Sequence, residues 1–340
     1  MSKVDRNNPK RSTASESTYT LMEFMREYPD DATCLEWLWR QRCSDDGSHA
    51  HCPKCEQTRK FHKVKTRPSW SCDSCGHHVH PTAGTIFHGS ATSLHLWFYA
   101  MYLMTSTRCA VSAKHLEREL GVTYKTAWRM ANLIRNKLMV EDGDEPLSGD
   151  VEADETYIGG KPRAADRARA NRLAETAGQR RWFAQRPKAT VFGAVERGGQ
   201  IRAVVVPDSR AVTLGTNVKR FVVPEARLIT DDWHGYHGVG RDYRQHDRID
   251  HSAGVYVSGD VHTNTIEGFW ALVKTGIRGN YHSVSRKWLQ GYLNEFVWRY
   301  NRRYVRKENG KRIIAMTDRA MFLSLIDRAT VDVERPRASY

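Results

Sequence analysis

The pattern of apolar and polar positions divides the chain into a mainly helical front half and a rear half that begins with short β-type runs. Residues 1–19 are polar and lack any periodicity, which predicts a disordered tail. Over residues 20–45 apolar positions recur at helical spacing with one break at residues 28–31, which predicts two short helices. Two or three further helices are expected within residues 91–140.

From residue 146 onward the pattern changes to short apolar, β-branched runs bounded by Gly, Pro and Asp. The predicted strands are residues 149–158, 190–195, 201–206 and 226–230. Helical periodicity then returns at residues 265–277 and 284–304. Strands followed by helices predict an α/β domain over residues 146–304, a mixed sheet flanked by helices, and leave residues 305–340 as a C-terminal tail.

A basic insertion separates the first two predicted strands. Residues 161–188 are dominated by Arg, Ala and Gln and contain nine basic residues against two acidic ones. Such a composition predicts an exposed segment, and it leaves the role of the segment open.

The net charge points to a phosphate-bearing partner. Lys and Arg outnumber Asp and Glu by 53 to 39, a charge of +14 at pH 7 that favours DNA or an anionic membrane. Membrane insertion is disfavoured because the longest apolar run, residues 94–104, contains a His and is too short to span a bilayer. The polar start carries no secretory signal, so we expect a cytoplasmic, nucleoid-associated protein whose paired cysteines bind metal.

Two Cys-x-x-Cys pairs lie within residues 46–90. Cys52 and Cys55 form the first and Cys72 and Cys75 the second, at a separation that suits four thiolates around one Zn²⁺. A closed shell of four sulfurs leaves no position for a reacting water, so the ion is expected to be structural. The sequence therefore predicts a zinc ribbon in which Gly76 supplies a positive φ.

A helix-turn-helix pattern follows within residues 91–140. One helix ends at Leu120, Gly121 and the next residue make a turn, and Thr123 is placed to cap a second helix. Tyr124, Lys125 and Arg129 then lie near the start of that helix, where a recognition helix contacts the DNA major groove. An ordinary helical hairpin with solvated charges fits the same pattern equally well.

Three carboxylates lie on three different predicted elements of the rear domain. Asp154 interrupts a β-prone run, where a buried charge is costly unless it is paired or binds a cation. Asp231 directly follows another strand, and Glu267 opens a helix that presents Lys274 on the same side. Such a triad can hold two Mg²⁺ or Mn²⁺ ions on a DNA phosphate, although solvated acids at strand ends are also common.

Each of the two strand carboxylates has an acidic neighbour. Adjacent strand residues point to opposite faces, so only one of Asp154 and Glu155 can face the metal site. Asp154 shares its face with polar residues, which favours it as the ligand. Asp231 is the last residue whose direction the strand fixes, whereas Asp232 already belongs to the turn.

Several separated motifs resemble insertion-sequence transposases of the zinc-ribbon, Asp-Asp-Glu type. They are VEADETYIGG (residues 151–160), TDDW (230–233), HTNTIEGFW (262–270) running on to Lys274, YHSVS (281–285) and YN (300–301). Together they cover most of residues 146–304, and the two cysteine pairs extend the resemblance toward the N-terminus.

The resemblance implies a ribonuclease-H-like catalytic fold. In it Asp154, Asp231 and Glu267 would bind catalytic Mg²⁺ or Mn²⁺, and Lys274 would be the lysine that follows the glutamate. Water would attack a phosphodiester at each element end, and the freed 3′-hydroxyl would then attack target DNA. A homo-oligomer assembled on the DNA is expected.

Two other functions fit parts of the same pattern. A DNA-binding regulator could use the zinc ribbon and the helix-turn-helix without catalysis, although all three carboxylates are intact. A structure-specific nuclease could use the same metal pair without strand transfer. The terminal DNA sequence, the target preference and the number of subunits are not encoded in a recognisable motif.

Overall fold

The computed structural model describes residues 19–107, 110–141, 145–159, 188–249, 259–303, 305–308, 311–314 and 316–333, and four single positions between 160 and 187. The predicted N-terminal tail, apart from Tyr19, and nearly all of the basic insertion lie outside the described residues. The chain divides into two units. Residues 1–108, 114–130 and 316–340 form the first, and residues 109–113 and 131–315 form the second.

The first unit begins with the two predicted short helices, α1 (Leu21–Glu27) and α2 (Asp31–Arg42). Both start at side-chain caps. Thr20 and Glu23 form a reciprocal capping box, in which each side chain accepts a hydrogen bond from the other residue's backbone N–H. Asp30 accepts one from the Thr33 amide at the start of α2.

A small four-stranded antiparallel sheet follows. Its strands, in sheet order, are β1 (His49–Cys52), β2 (Gln57–Lys63), β3 (Trp70–Cys72) and β4 (His78–Val79). Trp70 of β3 stacks on Trp39 of α2, with ring centroids 4.6 Å apart and planes within 4° of parallel. The indole N–H of Trp39 also donates to the carbonyl of Gly47, in the turn before β1.

The predicted helices beyond this sheet are confirmed. They are α3 (Leu94–Ser106), α4 (Ala113–Leu120) and α5 (Tyr124–Leu133), and α5 continues into a π-helical turn, Ile134–Leu138. Apolar side chains are buried along the whole length of α3, as expected for a helix enclosed by protein. Among the described residues, no helix combines the length and the apolar character that crossing a bilayer requires.

A five-stranded mixed sheet is the centre of the second unit. Its strands are β5 (Asp150–Ile158), β6 (Ala189–Glu196), β7 (Ile201–Val206), β8 (Arg227–Asp231) and β9 (Gln245–Ile249), in the order β7-β6-β5-β8-β9. The three strands on the β7 side are antiparallel, whereas β5, β8 and β9 run parallel. The first four strands agree with the sequence prediction, and β9 was not predicted.

Helices cover both faces of this sheet. On one face α6 (Ala211–Phe221) packs over a core that includes Val151, Phe192 and Leu228. On the other face α7 (Asn264–Gly276) and α8 (Leu289–Arg303) pack over a second core that includes Val191 and Phe269. Alternate residues of β5 therefore face different helices, and this alternation determines which carboxylate points where.

The segment predicted as a C-terminal tail is partly structured. Strands β10 (Val305–Glu308) and β11 (Lys311–Ile314) form a hairpin, and helix α9 (Asp318–Arg328) follows. Thr317 caps α9 by accepting a hydrogen bond from the Ala320 amide. The buried apolar residues of α9 include Met321 and Phe322. The Phe322 ring packs edge-on against Phe24 at 5.6 Å, so the end of the chain contributes to the aromatic core of the first unit.

Candidate active site and zinc centre

The four predicted cysteine ligands meet at one point. Their sulfur atoms all lie within 4.8 Å of one another, with Cys52 and Cys75 Sγ 3.5 Å apart and Cys55 and Cys72 Sγ 4.0 Å apart. Four sulfurs placed tetrahedrally about 2.3 Å from Zn²⁺ would be about 3.8 Å apart. The donor set therefore fits a tetrahedral zinc site.

Each cysteine pair lies in a turn of its own, and the two turns have the same hydrogen bond. The Glu56 amide donates to the Cys52 carbonyl at 2.8 Å, and the Gly76 amide donates to the Cys72 carbonyl at 3.0 Å. Gly76 has the predicted positive φ of 68°, and Glu56 adopts a similar value of 54°. Only the second turn has the glycine that this conformation favours, so the first is held in place by its surroundings.

The backbone of the first turn also favours a thiolate. Burial raises the pKa of the Cys52 thiol, but hydrogen bonds from the Cys55 and Lys54 amides and from the neighbouring thiols of Cys75 and Cys55 together lower it below its usual value. Since zinc binds the thiolate form, the peptide itself prepares this sulfur as a ligand.

The predicted DNA-contacting side chains lie at the expected positions on α5. Thr123 caps the helix, accepting a hydrogen bond from the Thr126 amide at 3.3 Å. Tyr124 and Lys125 are exposed in the first turn. Arg129 is exposed as well, and it donates to Ser90 Oγ at 3.2 Å. The helix pair agrees with the sequence pattern, and its contact with DNA stays a prediction.

Asp154 and Asp231 occupy equivalent positions on neighbouring parallel strands. The β5–β8 register pairs Asp150 with Arg227 and Glu152 with Ile229, and the same offset carried two residues further brings Asp154 level with Asp231. Residues level with each other on parallel strands point to the same face, with the strands about 4.8 Å apart. The extended offset therefore places the two carboxylates near each other at the carboxyl end of the sheet, and the charge of Asp231 is close enough to raise the pKa of Asp154.

Asp154 and Glu155 point to opposite faces, as the strand period requires. Asp154 Oδ2 accepts a hydrogen bond at 3.0 Å from the indole N–H of Trp270, on α7. Glu155 Oε2 accepts one at 2.8 Å from the Tyr236 hydroxyl, which is buried in the core beneath α6. Asp154 therefore lies on the face covered by the helix that carries Glu267.

A glycine on the neighbouring strand β6 makes the contact between Asp154 and Trp270 possible. Gly193 pairs with Asp154 in the β5–β6 register, and a Cβ at Gly193 would lie 2.6 Å from the Trp270 ring. No substituent of that size fits between the strand and the ring. Neither residue was identified from the sequence, because an indole and a glycine carry no metal-binding signal of their own.

Asp231 and Asp232 differ in the contacts of their carboxylates. Asp231 is the last residue of β8, and its Oδ1 accepts a hydrogen bond from the Trp233 amide at 3.2 Å. Asp232 is exposed and forms an ion pair with Arg248 at 3.0 Å. Asp231 therefore lies at the end of the strand, where its charge reaches Asp154, whereas Asp232 has a cationic partner at the surface.

Glu267, the third predicted ligand, is on α7. Its carboxylate does not lie close enough to those of Asp154 and Asp231 for the three to hold one ion. Glu267 is exposed, and its Oε1 accepts a hydrogen bond from Thr263 Oγ1 at 3.1 Å. Within the described ranges, the four cysteines are the only group of three or more possible ligands close enough to hold an ion. Lys274, two turns further along α7, is half-buried.

The electrostatics at Asp154 are those of a site with excess negative charge. Burial, the neighbouring charge of Glu155 and the charge of Asp231 together raise the pKa of Asp154 from 3.8 to about 8. The charged form of Asp154 is therefore disfavoured until a cation offsets its neighbours. Hard oxygen donors with surplus negative charge are the ligands that Mg²⁺ and Mn²⁺ prefer.

If Asp154 binds Mg²⁺, as the resemblance implies, its raised pKa predicts that protons and Mg²⁺ compete for its carboxylate. We expect Mg²⁺ affinity to rise by roughly tenfold per pH unit up to about pH 8, because one proton must leave for the ion to bind. Since the folded-state pKa exceeds the unfolded value, the stability of the metal-free protein should fall as pH rises from about 4 to 8. Calorimetric Mg²⁺ titrations at pH 6.5 and 8 measure the first effect. Equal affinities at the two pH values would contradict it.

A further carboxylate on β5 was not identified from the sequence. Glu152 is fully buried, and its oxygens accept hydrogen bonds from the Thr265 and Ile266 amides and from Arg197 Nε. Its partners lie 45 or more positions away along the chain, so no local pattern predicts them.

Comparison with known proteins shows the family to which the chain belongs. Residues 146–301 match the family model of the ISXO2-like transposase domain, a span that contains all three acidic residues and Lys274. The chain is also 30% identical, over 259 residues, to an uncharacterised protein of the transposable element ISH50 from Halobacterium salinarum. That alignment covers 73% of this chain and 84% of the relative. The chain therefore belongs to the ISXO2-like family of insertion-sequence transposases.

Proposed function

We propose that the protein is a DNA transposase that cleaves phosphodiester bonds at the ends of an insertion element and joins the freed 3′-hydroxyl to target DNA. The observation that carries the proposal is that Asp154 lies on the face covered by α7 and close enough to Asp231, on the neighbouring parallel strand, for the charge of Asp231 to raise its pKa. Glu267 and Lys274 belong to that helix. Two fixed carboxylates and a third on an adjoining helix are what a two-metal phosphoryl-transfer site needs.

The sheet supports a ribonuclease-H-like fold for this domain. The order β7-β6-β5-β8-β9, with three antiparallel strands followed by two parallel ones, is the arrangement expected of such a fold. In open sheets of this kind, sites form at the carboxyl ends of the strands. Asp231 ends its strand, and the offset between the paired residues of β5 and β8, carried two residues further, places Asp154 opposite it.

The residues have separate roles in the proposed reaction. Asp154 and Asp231 would be the fixed metal ligands, and Glu267 would leave its bond with Thr263 and turn toward them. Bound there, Mg²⁺ or Mn²⁺ activates the attacking oxygen and stabilises the leaving one. Lys274, seven positions after Glu267, would hold a DNA phosphate near the site.

Two displacements at phosphorus make up the proposed reaction. In the first, a water oxygen bonds to phosphorus at the element end and the 3′-oxygen leaves as a hydroxyl after taking up a proton. In the second, that 3′-oxygen bonds to a target phosphorus and a target 3′-oxygen leaves. The number of phosphodiester bonds is unchanged by the second step, so no external energy source is required.

The zinc ribbon and the helices before residue 146 would bind the DNA and place it at the catalytic domain. A folded zinc ribbon supplies a rigid module, and Tyr124, Lys125 and Arg129 at the start of α5 would contact the DNA at the element end. Because an element has two ends, we expect a homo-oligomer assembled on them.

Incubation of the purified chain with Mg²⁺, a plasmid bearing the element ends and a target plasmid tests the proposal. The expected product is element DNA covalently joined to the target through its 3′ ends. Cleaved ends without joining would support the nuclease alternative, and DNA binding without any cleavage would support the regulator. Linear element DNA with already cleaved ends is the positive control for joining, and the same DNA ending in a 3′-deoxynucleotide is its matched control, because it lacks the attacking hydroxyl.

The basic insertion is expected to contribute to DNA affinity. The +14 charge predicts that duplex DNA binding weakens steeply with salt, and the nine basic residues of the insertion should supply part of that slope. Because Ile158 pairs directly with Ala189, deletion of residues 161–188 leaves Gly159-Gly160 as a two-residue hairpin turn. We expect the deletion to flatten the salt dependence measured by fluorescence anisotropy. A slope equal to that of the wild type would remove the insertion from the DNA interface.

A further inference from the structure

A completely buried carboxylate of β5 meets the N-terminus of α7. Glu152 Oε2 accepts hydrogen bonds from the Thr265 amide at 2.8 Å and the Ile266 amide at 3.0 Å. Its other oxygen, Oε1, accepts one from Thr265 Oγ1 at 2.9 Å. A charged acceptor at a helix N-terminus pairs the free amides and interacts favourably with the helix dipole.

Helix α7 depends on this residue because it lacks a cap of its own. Thr263 occupies the N-cap position without a side-chain capping hydrogen bond, and its hydroxyl donates to Glu267 instead. The capping role that a Thr usually performs within its own helix is therefore taken over by Glu152 from the sheet.

Two contacts from β5 fix α7, and Glu267 lies between them. Glu152 binds the amides of residues 265 and 266, and Asp154 accepts the hydrogen bond from Trp270. Two strand residues span about 6.6 Å. Along α7, the four residue steps from Ile266 to Trp270 rise by about 6 Å. The strand and the helix thus match in spacing, and Glu267 is the residue directly after the capped amides.

The negative charge of Glu152 is itself held in place. Arg197 Nε donates to Glu152 Oε1 at 2.8 Å, and the same guanidinium donates to the carbonyls of Asp260 and His262, each at 2.7 Å. A buried carboxylate with a cationic partner and several N–H donors is held in one geometry. Glu152 and its partner Arg197 therefore hold both the segment that precedes α7 and the first turn of α7.

From this geometry we infer that Glu152 is a positioning residue for the metal site: as the N-terminal cap of α7, it sets where Glu267 stands relative to Asp154. The inference rests on the proposed function, since it assigns Glu267 to the metals. Glu152 is not a ligand itself, because both of its oxygens are engaged by donors of the protein.

The test is the Mg²⁺ dependence of end cleavage by the full chain carrying Glu152→Gln. An amide offers one neutral oxygen where the carboxylate offers two charged ones, so the start of α7 loosens. Loss of a group that orients a metal ligand typically costs roughly 10–100-fold in metal affinity. We expect the Mg²⁺ concentration for half-maximal cleavage to rise by that factor, and high Mg²⁺ to restore much of the rate. The matched control is Asp150→Asn, the same chemical change at a less buried position of β5, which should leave that concentration unchanged.

A purely structural role gives a different result. It would lower the folded fraction, and with it the amount of active enzyme, without moving the half-maximal Mg²⁺ concentration. An unchanged Mg²⁺ requirement in folded Glu152→Gln protein overturns the inference. If the single variant fails to fold, Glu152→Gln combined with Arg197→Gln removes both charges of this ion pair, and the same shift is expected. Absence of cleavage by the wild type would instead refute the proposed function.

Discussion

Replacing Asp154 or Asp231 with asparagine is expected to abolish Mg²⁺-dependent cleavage of element ends. Asparagine keeps the shape of the side chain but removes the negative charge that holds the ion. Metal ions supply several kcal/mol of transition-state stabilisation, so the rate should fall by at least about a thousandfold. Cleavage of end-labelled element DNA measures the effect, and a gel shift checks that both variants still bind DNA.

The neighbouring acids provide the matched controls for these two variants. Glu155→Gln and Asp232→Asn should keep measurable activity and DNA binding. Glu155 faces Tyr236 on the opposite side of the sheet, and Asp232 is paired with Arg248 at the surface. A dead Asp232→Asn enzyme together with a normally active Asp231→Asn enzyme would move the assignment on β8 by one residue.

Replacing Cys52 or Cys75 with serine is expected to release the zinc and unfold the ribbon. Each change leaves three thiolates, and the much weaker site can no longer contribute its binding energy to folding. Elemental analysis should give zinc near one ion per chain for the wild type and near zero for the variants. Unchanged zinc content in both variants would refute the zinc site.

The tryptophan pair provides a second measurement for the same variants. Trp39 on α2 stacks on Trp70 of the ribbon, so unfolding of the ribbon should alter tryptophan fluorescence as zinc is lost. Cys43→Ser is the matched control, because Cys43 is half-buried and lies outside the four-cysteine group. It should retain zinc and the fluorescence of the wild type.

Strands and helices with strong local patterns could be predicted from the sequence. Strands β5 to β8 consist largely of apolar and β-branched residues, and each lies within a few residues of its predicted position. Strand β9 has the mostly polar sequence QHDRI, and its pairing with β8 makes it an edge strand. Its place in the sheet depends on that tertiary pairing, which local periodicity does not contain.

The sequence predicts only those features of the site that follow from the alternation of side chains along a strand. Alternation along β5 correctly separates Asp154 from Glu155. The same alternation suggests that Glu152 and Thr156 belong to a polar face, yet both are buried on the side covered by α7. Which groups satisfy a buried carboxylate depends on distant residues such as Arg197 and Thr265, and these contacts exist only in the folded chain.

The most direct test of the central claim is to locate the metal ions. Crystals of the protein bound to element-end DNA and soaked in Mn²⁺ would reveal the ions by anomalous scattering. We expect two Mn²⁺ peaks at the scissile phosphate, with oxygens of both Asp154 and Asp231 about 2.1 Å from metal, as in Mg²⁺ sites. Ordered DNA in the complex with no Mn²⁺ bound to either aspartate would contradict the account.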